Sequence, residues 1–111
     1  MNYDGKNFRV ISTSSNSQLS DSFVFEYCQE GKVLKCDYGG NSIVAGHLLG
    51  TVEENGEIEM YYHQINKNGE ISCGKCTSRP EMMENGKLRL YEKWQWLTGD
   101  MTEGESVLEE V

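Results

Sequence analysis

At 111 residues, with 37% hydrophobic residues, 25% charged residues and eleven aromatics, the chain has the content of one globular domain and too little length for two. Its formal net charge of −8 repels phosphate backbones and anionic lipid, which argues against nucleic acid or a membrane surface as partner. No apolar run is long enough to span a bilayer, and Met1-Asn2-Tyr3-Asp4-Gly5 lacks the features of a signal peptide, so a cytoplasmic location is expected.

Turn chemistry organises the chain. A first strand is predicted near 7–15 around Phe8-Arg9-Val10-Ile11, with the polar stretch 12–20 as a loose connection. Glu30-Gly31 separates runs near 20–29 and 32–38, and Gly39-Gly40-Asn41 precedes a run near 42–53. Asn55-Gly56, Asn68-Gly69 and Asn85-Gly86 are strong hairpin signals between the runs 42–53, 57–66, 71–79 and 87–97. Thr98-Gly99-Asp100 then leads to a closing strand near 103–111, with Val107 and Val111 inward. No segment carries a 3.6-residue apolar period between helix caps, so helix should be minor. The prediction is all-β: one domain over 1–111, an up-and-down antiparallel meander of about eight strands. It should form a closed or nearly closed lipocalin-like barrel.

The four cysteines, at 28, 36, 73 and 76, read as free thiols in a reducing compartment. Cys73 and Cys76 have CxxC spacing, but within a strand residues three apart point to opposite faces. A zinc site also needs a second matched pair, which Cys28 and Cys36 do not make. No metal is expected. Neither a Walker pattern nor a GxGxxG between strand and helix is present, and no cofactor is expected.

Two-residue Asn-Gly loops would pair Glu54 with Glu57, Lys67 with Glu70, and Glu84 with Lys87. Continuing these ladders aligns Leu49 with Tyr62, Tyr62 with Lys75, and Lys75 with Trp96. On β patterning, Leu88, Leu90, Trp94 and Trp96 define an inward face, as do Ile58, Met60 and Tyr62. A bulge at Gly46, Gly50 or Gly74 would flip a strand's parity. With this register the interior holds His47, Tyr62, Gln64, Lys75, Arg79, Glu92, Trp94 and Trp96, the candidate ligand-binding residues. Aromatic walls with a few convergent polar groups suit a small, partly polar molecule. The same groups could instead bond one another and fill the interior, with Arg79 and Glu92 as a plain ion pair. Glu92 could serve as a general acid or base if desolvated. No histidine has a nucleophile at recognisable spacing, and catalytic residues stay unknown.

The segments Tyr38-Gly39-Gly40, Gly46-His47-Leu48-Leu49-Gly50, Gly86-Lys87-Leu88-Arg89-Leu90-Tyr91-Glu92-Lys93-Trp94-Gln95-Trp96 and Gly104-Glu105-Ser106 carry a resemblance over nearly the whole chain. Together they resemble a family of small bacterial proteins often named N-acetylglutamate synthase, and Glu92-Lys93-Trp94-Gln95-Trp96 is the most specific part. The resemblance implies acetyl transfer from acetyl-CoA to glutamate and supplies no functional residues. In shape the meander is similar to the lipocalin and fatty-acid-binding barrels. Three functions follow as expectations: a binding module for a small ligand, an acetyltransferase, or an interaction protein pairing through an edge strand. A monomer and a homodimer are both compatible with the sequence.

Overall fold

Apolar and polar residues alternate along most of the chain, so each strand has one face to bury. In a computed structural model, which describes residues 2–13, 24–40 and 42–111, this pattern gives nine antiparallel strands. They are β1 (Asn7–Thr13), β2 (Val24–Glu26), β3 (Cys28–Glu30), β4 (Val33–Gly40), β5 (Ile43–Val52), β6 (Ile58–Asn66), β7 (Ile71–Met82), β8 (Leu88–Trp96) and β9 (Glu103–Glu110). No helix occurs among the described residues. Predicted strand positions 14–15 and 20–23, most of the connection 12–20, and Asn41 lie outside the described residues.

The strands form one sheet in the order β2-β1-β9-β8-β7-β6-β5-β4-β3. Its two ends, β2 and β3, are separated in sequence by Tyr27 alone. One chain run therefore pairs with β1 through its first half and with β4 through its second. That bent run curls the sheet into a nearly closed barrel of eight strand positions.

Aromatic side chains plug one end. Tyr3, Phe8 and Tyr27 are fully buried with ring centroids 5.0 to 6.1 Å apart. The Tyr3 hydroxyl donates to the carbonyl of Gly56 in the β5–β6 hairpin, tying the N-terminal segment across this end. Leu34, Ile58, Leu90 and Leu108 continue the packed layer. Trp94, Trp96, Tyr62 and Tyr38 lie toward the other end, where the β6–β7 and β8–β9 connections stand.

The Asn-Gly hairpins form where expected, but with three-residue loops. Gly56, Gly69 and Gly86 have φ of +88°, +80° and +82°. Their amides donate to Glu53, Asn66 and Met83 respectively. The closing pairs are therefore Glu53 with Glu57, Asn66 with Glu70 and Met83 with Lys87. Each is one residue away from the two-residue expectation. This is a type I turn followed by glycine in the left-handed region, which Asn-Gly serves as well as it serves the shorter loop.

The single-residue slip recurs at all three hairpins and decides which side chains are inside. Leu48 pairs with Tyr62, Tyr62 with Gly74, and Gly74 with Trp96, replacing the expected alignments through Leu49 and Lys75. Patterning had already identified the buried faces of β6 and β8, so Tyr62, Gln64, Glu92, Trp94 and Trp96 point inward. On β5 and β7 parity reverses. His47, Lys75 and Arg79 lie on the outer face, and the inward positions between them belong to Leu48, Gly74, Cys76 and Ser78. On β9, Ser106 and Leu108 point inward, Val107 pairs with Tyr91 outside, and Val111 is exposed. The expected inward Val107 and Val111 are thereby corrected: pairing with β8 gives the inward positions to Ser106 and Leu108, and Val111 lies beyond the end of the strand.

Candidate functional site

Two mid-strand glycines shape the interior beyond the aromatic plug. A Cβ on Gly46 would clash with the ring of Tyr38, and one on Gly74 with the ring of Tyr62. No register shift falls at Gly46, Gly50 or Gly74, where a bulge would have flipped a strand's parity. The irregularities fall between Tyr38 and Gly40, Ile43 and Ala45, and Val10 and Ser12 instead. Glycine serves here by its missing side chain: each tyrosine lies across a neighbouring strand's backbone with its ring held against the barrel wall.

The rings brace one another. Tyr62 meets Trp96 edge-on at 5.3 Å, Trp94 meets Trp96 at 6.4 Å, and Phe25 meets Tyr38 at 5.3 Å. Two of their polar edges are partnered within the wall. The Tyr38 hydroxyl donates to Gln64 Oε1 at 2.9 Å. Trp94 Nε1 donates to Ser106 Oγ at 2.9 Å, and Ser106 Oγ lies 2.7 Å from Thr13 Oγ1. Ring-on-ring packing and these two hydrogen bonds brace the wall.

These residues surround a cavity of about 50 Å³, lined by Phe25, Tyr38, Tyr62, Gln64, Glu92 and Trp96 together with Leu48, Met60, Cys76 and Trp94. A water needs roughly 10–15 Å³, so the space admits a few waters or a head group of a few heavy atoms. Glu92 supplies its carboxyl. Among the described residues, Glu92 Oε2 and Ser78 Oγ are the buried side-chain nitrogen or oxygen atoms that lack a hydrogen-bond partner. The two residues are direct cross-strand neighbours on the inner face.

Burial pushes the Glu92 carboxyl up to about 7, opposed by the Ser78 hydroxyl. Desolvation, then proximity to Glu92, holds the Cys76 thiol well above its ordinary range. Tyr27 is raised well above its own for the same two reasons, in the same order. The interior is thus a place where one carboxyl is poised between charged and neutral while phenols and thiols stay protonated.

Of the sequence candidates, the fold brings together Tyr62, Gln64, Glu92, Trp94 and Trp96 around the cavity. It separates the other three from it. His47 Nδ1 lies 2.7 Å from Asp37 Oδ1 on the outer face, with the His63 ring 5.7 Å away. Lys75 stands exposed between Tyr61 and Gln95. Arg79 stacks over the Tyr91 ring at 4.9 Å instead of pairing with Glu92. Sequence reasoning missed Phe25, Tyr38, Leu48, Met60, Cys76 and Ser78. The signal that could have found Tyr38 is the pairing of an aromatic with a mid-strand glycine, here Gly46.

A family model described as an avidin-like protein matches residues 1–111 of this chain. No curated protein and no solved structure matches it. The resemblance to proteins named N-acetylglutamate synthase gains no support from the matched family, whereas the small-ligand barrel does.

Proposed function

The chain belongs to the avidin-like family, and we propose from that membership and its cavity that the barrel is a binding module for a small, partly polar ligand. The observation that carries this reading is the unfilled interior. A core filled only for stability would bury apolar groups against one another and leave no unpartnered carboxyl. Here Glu92 faces a braced aromatic chamber with a carboxyl oxygen to spare. The aromatic faces of Trp94, Trp96 and Tyr62 give apolar contact area, and Gln64 and Glu92 give orientation. A compound larger than a head group would extend toward the barrel end away from Tyr3, or would displace Tyr62 or Met60.

Native mass spectrometry of the purified protein tests this directly. The protein is sprayed alone, then with biotin as the first compound suggested by the family, then with a panel of small polar metabolites. The reading predicts a retained small mass or a saturable adduct that disappears on replacing Trp96 with alanine. A protein that binds nothing in the panel, with a spectrum identical to that of Trp96→Ala, would contradict it.

A further inference from the structure

We propose that the ligand presents a small organic cation, a guanidinium or primary ammonium head, to the carboxyl of Glu92. The inference rests on the binding-module reading and specifies the chemistry of that same site. Four observations lead to it. Among the described residues, no lysine, arginine or histidine lines the cavity, whereas one carboxyl does. Glu92 Oε2 has no hydrogen-bond donor among the described residues, so a charged form of this group lacks a counter-ion there. The surrounding walls are rings, Phe25, Tyr38, Tyr62, Trp94 and Trp96, whose faces attract cations. The volume of about 50 Å³ matches a head group of a few heavy atoms.

Charge bookkeeping favours a cation over a neutral donor. An uncompensated carboxylate in this interior is costly, and a neutral hydrogen-bond donor does not remove its charge. A cation does, through a charge-assisted hydrogen bond in a desolvated site. The net charge of −8 also raises the local concentration of cations and lowers that of anions.

The groups facing Glu92 cannot substitute for such a ligand. They are Tyr62 from β6, Cys76 and Ser78 from β7, and Tyr27 between β2 and β3. Burial raises both phenols and the thiol, which keeps them neutral. Lys93 and Arg79, adjacent in sequence or on the next strand, are exposed on the outer face. Cation binding therefore ionises Glu92 and releases its proton where the free protein holds one. Affinity should climb as pH rises towards about 7 and level off above it.

Methylguanidinium and methylurea, nearly identical in shape and different in charge, make the test. Calorimetric titration of the full chain at pH 8 should show methylguanidinium binding at least ~10-fold more tightly than methylurea. Glu92→Gln should remove most of that difference. Independently of any variant, the wild-type affinity for methylguanidinium should fall several-fold between pH 7.5 and 5.5, with proton release visible as a buffer-dependent enthalpy. Equal affinity for the two probes, or an affinity flat across that pH range, overturns the cation assignment. If neither probe binds while biotin or another neutral compound is retained, the cation inference fails and the binding module stands. If nothing binds at all, both fail.

Discussion

Glu92 is the residue at which sequence, fold and chemistry meet. Its neighbours on β8 are tryptophans and leucines, and strand alternation carries it inside with them. Because its carboxyl is raised towards 7 by burial, the folded state prefers the protonated form, while the unfolded chain ionises near the ordinary carboxylate value. The contribution to stability is therefore fully present below about pH 4.5 and is lost as pH rises to about 7. Its size is about 3 kcal/mol. Urea unfolding of wild type and Glu92→Gln from pH 4 to 8 should show this: the stability difference between them shifts in favour of the glutamine variant by that order as pH rises. A constant difference would mean that Glu92 is solvated. Gly74 makes a second residue-scale case. Gly74→Ala puts a methyl group into the Tyr62 ring and should cost about 1–3 kcal/mol in denaturant unfolding. It should also disturb the fluorescence of Trp96, against which Tyr62 packs.

At the scale of the elements, three hairpins built alike set the register of β5 through β8. Gly86 lies at φ +82° with open space where a Cβ would stand, so Gly86→Ala meets backbone strain and no clash. It should cost about 1 kcal/mol, measured as a shift in the denaturant midpoint, and leave the interior contacts unchanged. The positions of the hairpins were legible in the sequence because Asn-Gly punctuates the chain. Their loop length was not, since the same dipeptide fits a two-residue and a three-residue connection. That ambiguity of one residue is the whole reason His47, Lys75 and Arg79 were expected inside. Tyr62, Gln64, Glu92, Trp94 and Trp96 escaped it because β6 and β8 carry an amphipathic pattern strong enough to fix their own faces. On β7 the inward residues are Gly74, Cys76 and Ser78, small and weakly apolar, and alternation with Lys75, Thr77 and Arg79 gave too little contrast to read. The mid-strand glycines had been visible as anomalies. Only the three-dimensional pairing shows that Gly46 and Gly74 receive tyrosine rings.

Across the whole molecule, the barrel divides into a packed aromatic and aliphatic half and a half that encloses the cavity. Tyr3, Phe8, Tyr27 and the leucines beneath them are fully or almost fully buried, with the Tyr3 hydroxyl bonded to Gly56. The other half holds its rings around an unfilled space and leaves Glu92 Oε2 without a hydrogen-bond partner among the described residues. An avidin-like barrel whose interior is a site, and not merely a core, should respond there first when a ligand arrives. The two tryptophans are the only ones in the chain, and both line the cavity, so their indole N–H signals report on it alone. The decisive measurement is a two-dimensional nitrogen-15 NMR titration of the full chain with biotin and methylguanidinium, watching those two signals. The account predicts that a bound ligand moves the Trp96 and Trp94 indole resonances in a saturable way, while the amides of outward residues such as Lys75 and Arg79 stay in place. Saturable shifts confined to the outer face, with both indole signals unmoved, would contradict an interior binding site.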